Sequence, residues 1–339
     1  HRPWHPHDPR AEEQQRRAAR VRFWKWVRVS AVVLAVVLVL GGVGLAYYDA
    51  GDWTPLFREA KGELTSALVS NEVFKESDGC AFYDVDLSNK SGHNAHCRLS
   101  IPLASSSFGK IPAVVVVTDP ATGSKMVDLL PAQRKVVLIA PDYPSKASLN
   151  FSGPGALFSA LSLRRAAMRM VSDVLLTGDF LLTQKIVRRD RVVLIGVNLG
   201  AVVCAAAAAA DDKDRFSEVV LVHGGADISK IIAANAERWK LPFGPAVAAS
   251  IGGWLFKPLE PMRYAARIAP RSLTMYNAKS GSWMPMEQAQ QLFDAAAQPK
   301  KQVWLEGADA DTSDQEALVR LTARVFGEIA GPGAQTLGR

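Results

Sequence analysis

Residues 191–210, RVVLIGVNLGAVVCAAAAAA, carry the arrangement with the clearest chemical content. The apolar run Val192–Ile195 leads into Gly196-Val197-Asn198-Leu199-Gly200, and an alanine-rich segment follows. A strand that turns sharply into a helix between two glycines exposes the central side chain on a strained backbone, a position suited to a nucleophilic serine. Here the central residue is Asn198. An amide has no ionisable oxygen or sulfur with which to attack a carbonyl.

A serine at such a turn also needs a histidine to take its proton and an acid to orient the imidazole. The six histidines are His1, His5, His7, His93, His96 and His223, so none lies between residues 224 and 339. The expectation is that a serine-hydrolase mechanism does not operate here.

The elements that must hold this turn are legible as apolar runs: PAVVVVTD (112–119), KVVLIAPDYP (135–144), RVVLIGVN (191–198), EVVLVHGG (218–225), SLTMYNAK (272–279) and QVWLEGAD (302–309). Continuous Val/Leu/Ile runs of this length indicate strands buried on both faces, as a parallel sheet requires. Helix-length segments at 121–133, 155–184, 199–210, 227–269, 285–297 and 314–330 alternate with them, and that alternation predicts a doubly wound α/β sheet. The segment 231–262 is long, apolar and interrupted by Pro and Gly. It is expected to form a cap over the carboxyl ends of the strands, with Trp239, Phe243, Trp254 and Phe256 facing a pocket, a partner or the cap's own core. Residues 331–339 read as a mobile tail.

The N-terminal region differs in kind. The net charge is +7; residues 1–28 hold eight Arg/Lys against Asp8, Glu12 and Glu13, which accounts for +5 of it. The rest is nearly neutral, which argues against nucleic-acid binding. Residues 29–48, VSAVVLAVVLVLGGVGLAYY, contain no charge, and as a helix they span roughly 30 Å, the thickness of a bilayer core. Trp24 and Trp26 on one side and Tyr47, Tyr48 and Trp53 on the other suit an interfacial aromatic belt. A basic cluster directly ahead of the run is unusual for a buried core helix, and residues 1–28 are still present ahead of it, so a transmembrane helix is expected rather than a core helix or a cleaved signal peptide. The positive-inside tendency puts residues 1–28 in the cytoplasm and the main domain across a bacterial inner membrane. Gly42 and Ala46 form a small-xxx-small pair on that helix, a candidate face for packing against helices of another membrane protein. Residues 49–75 read as a linker and an amphipathic helix.

Cys80 and Cys97 flank two alternating strands joined at Asn89–Asn94. In an oxidising compartment a disulfide between them is the expectation. Free thiols, and a metal site drawn from Cys80, His93, His96 and Cys97, are the alternatives. Cys204 is expected to be a buried free thiol.

Taken in order, the hairpin, PAVVVVTD, VVLIAPDYP, DRVVLIGVNLGAVVCAAAAA, VVLVHGGAD and EPMRYAARIAPRSLTMYNAKSGSWMP resemble the α/β-hydrolase superfamily, in its dienelactone-hydrolase-like branch, over residues 76–330. The resemblance implies an α/β-hydrolase fold preceded by a single transmembrane helix. It also implies a nucleophile at Asn198, an acid at Gly281 and a histidine at Ala310; none of the three has the required residue type. The loop TDPATG lacks the His-Gly start common in that family, and Asp119 in it would repel a developing oxyanion. The expected function is therefore a non-catalytic, membrane-anchored accessory subunit that binds an integral-membrane complex, with no cofactor and no metal. The alternatives are a lipid or small-molecule binding module using the old pocket, and a hydrolase of undetected mechanism.

Overall fold

The computed structural model describes residues 9–75, 79–103, 109–130, 135–144, 151, 153, 155–242, 244–279, 283–306 and 315–330. The chain divides into two compact units, His1–Asp52 and Trp53–Arg339.

Among the described residues the first unit holds one helix, α1 (Pro9–Ala50). The basic arm and the uncharged run are continuous in it, and Arg22–Ala50 is long and apolar enough to cross a membrane. Its Val and Leu side chains are exposed along the run. Around Gly42 nothing lies within 4 Å of where a Cβ would stand.

The second unit is built on a nine-stranded sheet in the order β1-β2-β3-β5-β4-β6-β7-β8-β9. The strands are β1 (Leu64–Lys75), β2 (Cys80–Asn89), β3 (Asn94–Pro102), β4 (Ile111–Val117), β5 (Val137–Pro141), β6 (Val187–Val197), β7 (Glu218–Val222), β8 (Ser272–Ala278) and β9 (Lys300–Leu305). From β4 and β5 to β9 every pairing is parallel, while β1, β2 and β3 add an antiparallel edge. The apolar runs are double-faced, as their composition requires. Ala113, Val115 and Val117 of β4 join the core with α4 (Ala156–Thr183) and α5 (Leu199–Ala210). Val114 and Val116 face the opposite core, filled by α3 (Met126–Leu129) and α9 (Gln315–Ala330). Every alanine of the run 205–210 is buried; methyl-sized side chains let α5 lie close on the sheet.

Three sequence expectations are corrected. Residues 49–75 are not a linker and one helix: α2 (Thr54–Lys61) ends at Gly62, whose φ is 58°, and β1 follows. β1 lies against β2 from Leu64↔Asn89 to Lys75↔Cys80, so its backbone groups are satisfied by a partner that local periodicity does not reveal. Among its described residues, 121–130, the segment 121–133 holds only the four-residue α3 behind a short 3-10 turn. Within 227–269, α6 (Ile228–Asn235) and α7 (Pro245–Leu255) are the only α-helices among the described residues. The last helix before β9 is α8 (Met286–Ala295).

The disulfide is the third correction. All three cysteines are buried free thiols. In the β2–β3 register Cys97 lies opposite Val85, whereas Cys80 lies opposite Pro102. That five-residue offset separates them by roughly 16 Å along the strands, beyond the roughly 7 Å Cα separation a disulfide spans. An odd offset also turns the two side chains to opposite faces, and each packs in a different core.

Candidate functional site

β6 ends at Val197, and Asn198 takes φ 56° and ψ −118° before α5 begins. Such a backbone is strained for a residue with a Cβ, and strain of this kind collects at functional turns. The flanking glycines are required by contact. A Cβ on Gly200 would stand 2.0 Å from the Val117 carbonyl oxygen, and one on Gly196 would stand 2.5 Å from the Gly200 carbonyl oxygen. The turn is therefore wedged against the end of β4, where Val117 pairs with Gly196.

Two residues beyond that paired position stand Asp119 on one strand and Asn198 on the other, both lining a cavity of about 470 Å³. The Trp283 indole N–H donates to Asn198 Oδ1 at 3.0 Å. An indole nitrogen only donates, so this contact fixes the amide: Oδ1 faces Trp283 and Nδ2 remains as a donor. Among the described residues nothing accepts from that Nδ2, nor from the Leu199 N–H at the first turn of α5. The Asp119 Oδ1 accepts the N–H groups of Ala121 and Thr122, each at 3.0 Å. Its Oδ2 has no partner among the described residues. The site thus offers two N–H donors at a helix N-terminus, where a developing negative charge is favoured, with a carboxylate nearby.

The rest of the cavity wall is apolar except for Arg238. Leu163 and Val202 form its floor, and Ile231, Ile232, Ile251 and Leu255 of α6 and α7 cover it. Within the segment 231–262, Trp239 and Phe256 line the cavity and Trp254 is 53% exposed. Phe243 lies outside the described residues.

Of the resemblance-derived triad positions, the structure places Asn198 at the elbow; Gly281 and Ala310 lie outside the described residues. The hairpin residues considered for a metal site go to separate partners. His96 Nδ1 meets Asp86 Oδ1 at 2.9 Å, and Cys97 Sγ meets Thr177 Oγ1 at 3.5 Å. Burial pushes the Cys97 thiol up to about 12, which leaves it protonated and inert.

His93 instead bonds through Nε2 to Asp173 Oδ1, and Arg169 Nε donates to the same nitrogen at 3.0 Å. Asp173 is 1% exposed, and its Oδ2 has no hydrogen-bond partner among the described residues. Burial pushes its carboxyl up to about 8, with Arg169 pulling the other way. The folded state therefore keeps this proton over a window, from the ordinary value of 3.8 to about 8, in which the unfolded state has lost it. More protons bound in the folded state means that stability falls as pH rises through that window. The expected result is a melting temperature that declines between about pH 5 and about pH 8 in wild type, and declines less in Asp173→Asn. Thermal denaturation across that range checks it.

No family model matches the chain, and no curated protein matches its sequence. Solved structures do match. An acetyl xylan esterase from Paenibacillus sp. R4 superposes with a TM-score of 0.58 at 18% identity, covering 76% of this chain and 89% of that one. Acetyl xylan esterase 1 from Thermoanaerobacterium sp. gives 0.56 at 14% identity, covering 82% and 94%. An acylaminoacyl peptidase from Pyrococcus horikoshii gives 0.51 at 13% identity over 81% of this chain and 51% of that one. The chain has the α/β-hydrolase fold, preceded by a helix apolar enough to span a membrane.

This finding corrects the reading of the chain as a non-catalytic accessory subunit and as no enzyme. Two of these three solved proteins are esterases by name and the third is a peptidase, and the second unit has a cavity with donors and an acid at its polar end. The expectation of a dead site rests on residue types at three positions, of which Asn198 alone is described, and on the absence of histidine from residues 224–339. It also counted Asp119 only as a source of repulsion.

Proposed function

We propose that this chain is a membrane-tethered hydrolase of acyl esters that works by activating water at Asp119 rather than through a serine at the elbow. The observation that carries the reading is the pairing, at one end of an apolar cavity, of a carboxylate with two unengaged N–H donors. An ester's acyl chain fits the apolar part, and its carbonyl oxygen faces Asn198 Nδ2 and the Leu199 N–H. Water attacks the carbonyl carbon and passes a proton to Asp119. The oxyanion then forms beside a neutral acid, so the repulsion expected of Asp119 is removed in the same step. Collapse expels the alkoxide, which takes the proton back from Asp119, giving acid and alcohol.

The excess of Arg and Lys in residues 1–28 supports a cytoplasmic N-terminus and an extracytoplasmic catalytic unit in a bacterial inner membrane. Gly42 and Ala46 stay a candidate packing face on α1.

The test uses the detergent-solubilised full chain and p-nitrophenyl esters of increasing acyl length. Each buried CH₂ contributes roughly 0.8 kcal/mol, about fourfold in kcat/KM, so turnover is expected to climb from acetyl to longer acyl groups until the cavity is filled. The enzyme is expected to resist fluorophosphonates throughout, because no elbow serine is present to label. Absence of turnover at every chain length overturns the proposal.

A further inference from the structure

Helices α4 and α7, which both line the cavity, also carry apolar side chains exposed to solvent. On α4, Leu157, Phe158 and Leu161 are 50%, 76% and 40% exposed; with Arg164 and Arg165 they fall on one side of the helix at 100° per residue. On α7, Val247, Ile251 and Trp254 follow the i, i+4, i+7 spacing of a single stripe and are likewise exposed. The two helices meet: Arg164 Nε donates to the Leu255 carbonyl oxygen at 2.7 Å. Leu157 and Ile251 belong to the exposed stripes and to the cavity lining at once, so the stripes are the rim of the cavity mouth.

The charges around this rim are of one sign. From Gly155 to Ser172 the chain has Arg164, Arg165 and Arg169 and no carboxylate; from Arg238 to Leu259 it has Arg238, Lys240 and Lys257 and no carboxylate. The acids next to these segments are Asp173, Glu237 and Glu260; Asp173 is buried against His93, and Glu260 is occupied by the Asp227 and Ile228 N–H groups. A contiguous apolar patch with an outward Trp and a cationic margin matches a bilayer interface, where apolar side chains enter the headgroup region and Arg and Lys meet anionic lipids.

We propose that this rim docks on the surface of an anionic lipid bilayer, so that the cavity opens directly onto lipid and draws in the acyl chain of a lipid ester. The covalent link to α1 keeps lipid within reach of the unit. The nature of the substrate rests on the ester-hydrolase reading; the docking does not.

The experiment uses the full chain in vesicles of equal parts phosphatidylcholine and phosphatidylglycerol. All three native cysteines are buried, so a fluorophore sensitive to its environment can be placed on Phe158→Cys or Val247→Cys, with Asp190→Cys as an exposed reference. Labels at 158 and 247 are expected to shift to the blue and to lose about half their emission to brominated lipid, while the label at 190 does neither. The effect is expected to weaken several-fold in pure phosphatidylcholine, in high salt, or with Arg165→Glu and Lys240→Glu together. Labels at 158 and 247 as wet as the reference overturn the proposal. So does protection that appears in native membranes but not in protein-free vesicles, since that assigns the rim to a protein partner. A short soluble ester followed in the same vesicles separates the two readings. The double charge variant is expected to hydrolyse it at the wild-type rate, so loss of docking with turnover intact, or the reverse, is seen directly.

Discussion

Arg215→Ala is expected to destabilise the second unit by about 3–5 kcal/mol, the cost typical of removing one partner from a buried ion pair. For a domain of this size that corresponds to a fall of roughly 5–8 °C in melting temperature. Arg215 is completely buried. Its Nε donates to Asp179 at 2.7 Å, and its Nη1 donates to Asp211 at 2.7 Å and to Asp212 at 3.1 Å. Asp179 also meets Lys61 of α2, and Asp211 also accepts from Arg271 at 3.2 Å. The guanidinium thus ties α2 and α4 to the loop between α5 and β7, behind the helix that carries the elbow.

Burial works against the Asp179 carboxylate, but hydrogen bonds from Arg215 and Lys61 outweigh it and hold its pKa below the ordinary 3.8. A depressed carboxylate stabilises the fold above its unfolded pKa and loses that contribution as pH falls through the folded one. Removing Arg215 leaves both carboxylates buried with one cation fewer. Arg215→Lys keeps the charge but cannot reach several acceptors at once, and is expected to recover only part of the loss. Chemical denaturation of the three proteins in the same detergent decides it; an Arg215→Ala midpoint equal to wild type would show that the network contributes nothing.

Asp119→Asn is expected to lower kcat for ester hydrolysis by about 10²–10⁴-fold with little change in KM, the range for loss of a general base. The substitution is chosen for shape. Asparagine keeps a carbonyl oxygen to accept the Ala121 and Thr122 N–H groups that Asp119 Oδ1 now accepts, so the loop is expected to hold its form. What is lost is basicity at the cavity. Asn198→Ala removes one of two donors to the oxyanion and is expected to cost about 10²-fold. Asn198→Ser gains a hydroxyl without any histidine among residues 224–339 to take its proton, and is expected to behave like the alanine variant. Full activity in Asp119→Asn would remove Asp119 from the mechanism.

The sequence by itself determined which segments form the sheet's parallel strands. Each is an apolar run of Val, Leu and Ile, and such composition is stable only with both faces covered; all six runs became strands β4 to β9. It also determined the apolar helix α1 and the residue at the elbow, because a Gly-x-x-x-Gly turn between strand and helix is a local feature of the backbone. It did not reveal β1, whose residues pair only because β2 presents an open edge. It did not separate Cys80 from Cys97, because spacing along a hairpin says nothing about which face each side chain takes until the register is fixed. Asp119 and Asn198 are 79 positions apart in the chain and come together only through the Val117↔Gly196 pairing. The arginines of α4 and the cations around α7 are sparse within their own segments, so a local count finds no basic patch. The apolar rim they surround exists only where two helices distant in sequence close over one cavity. Local pattern encodes burial and so fixes the elements. Which polar groups share a site is set by long-range register and packing, to which a side chain's own neighbours in sequence contribute nothing.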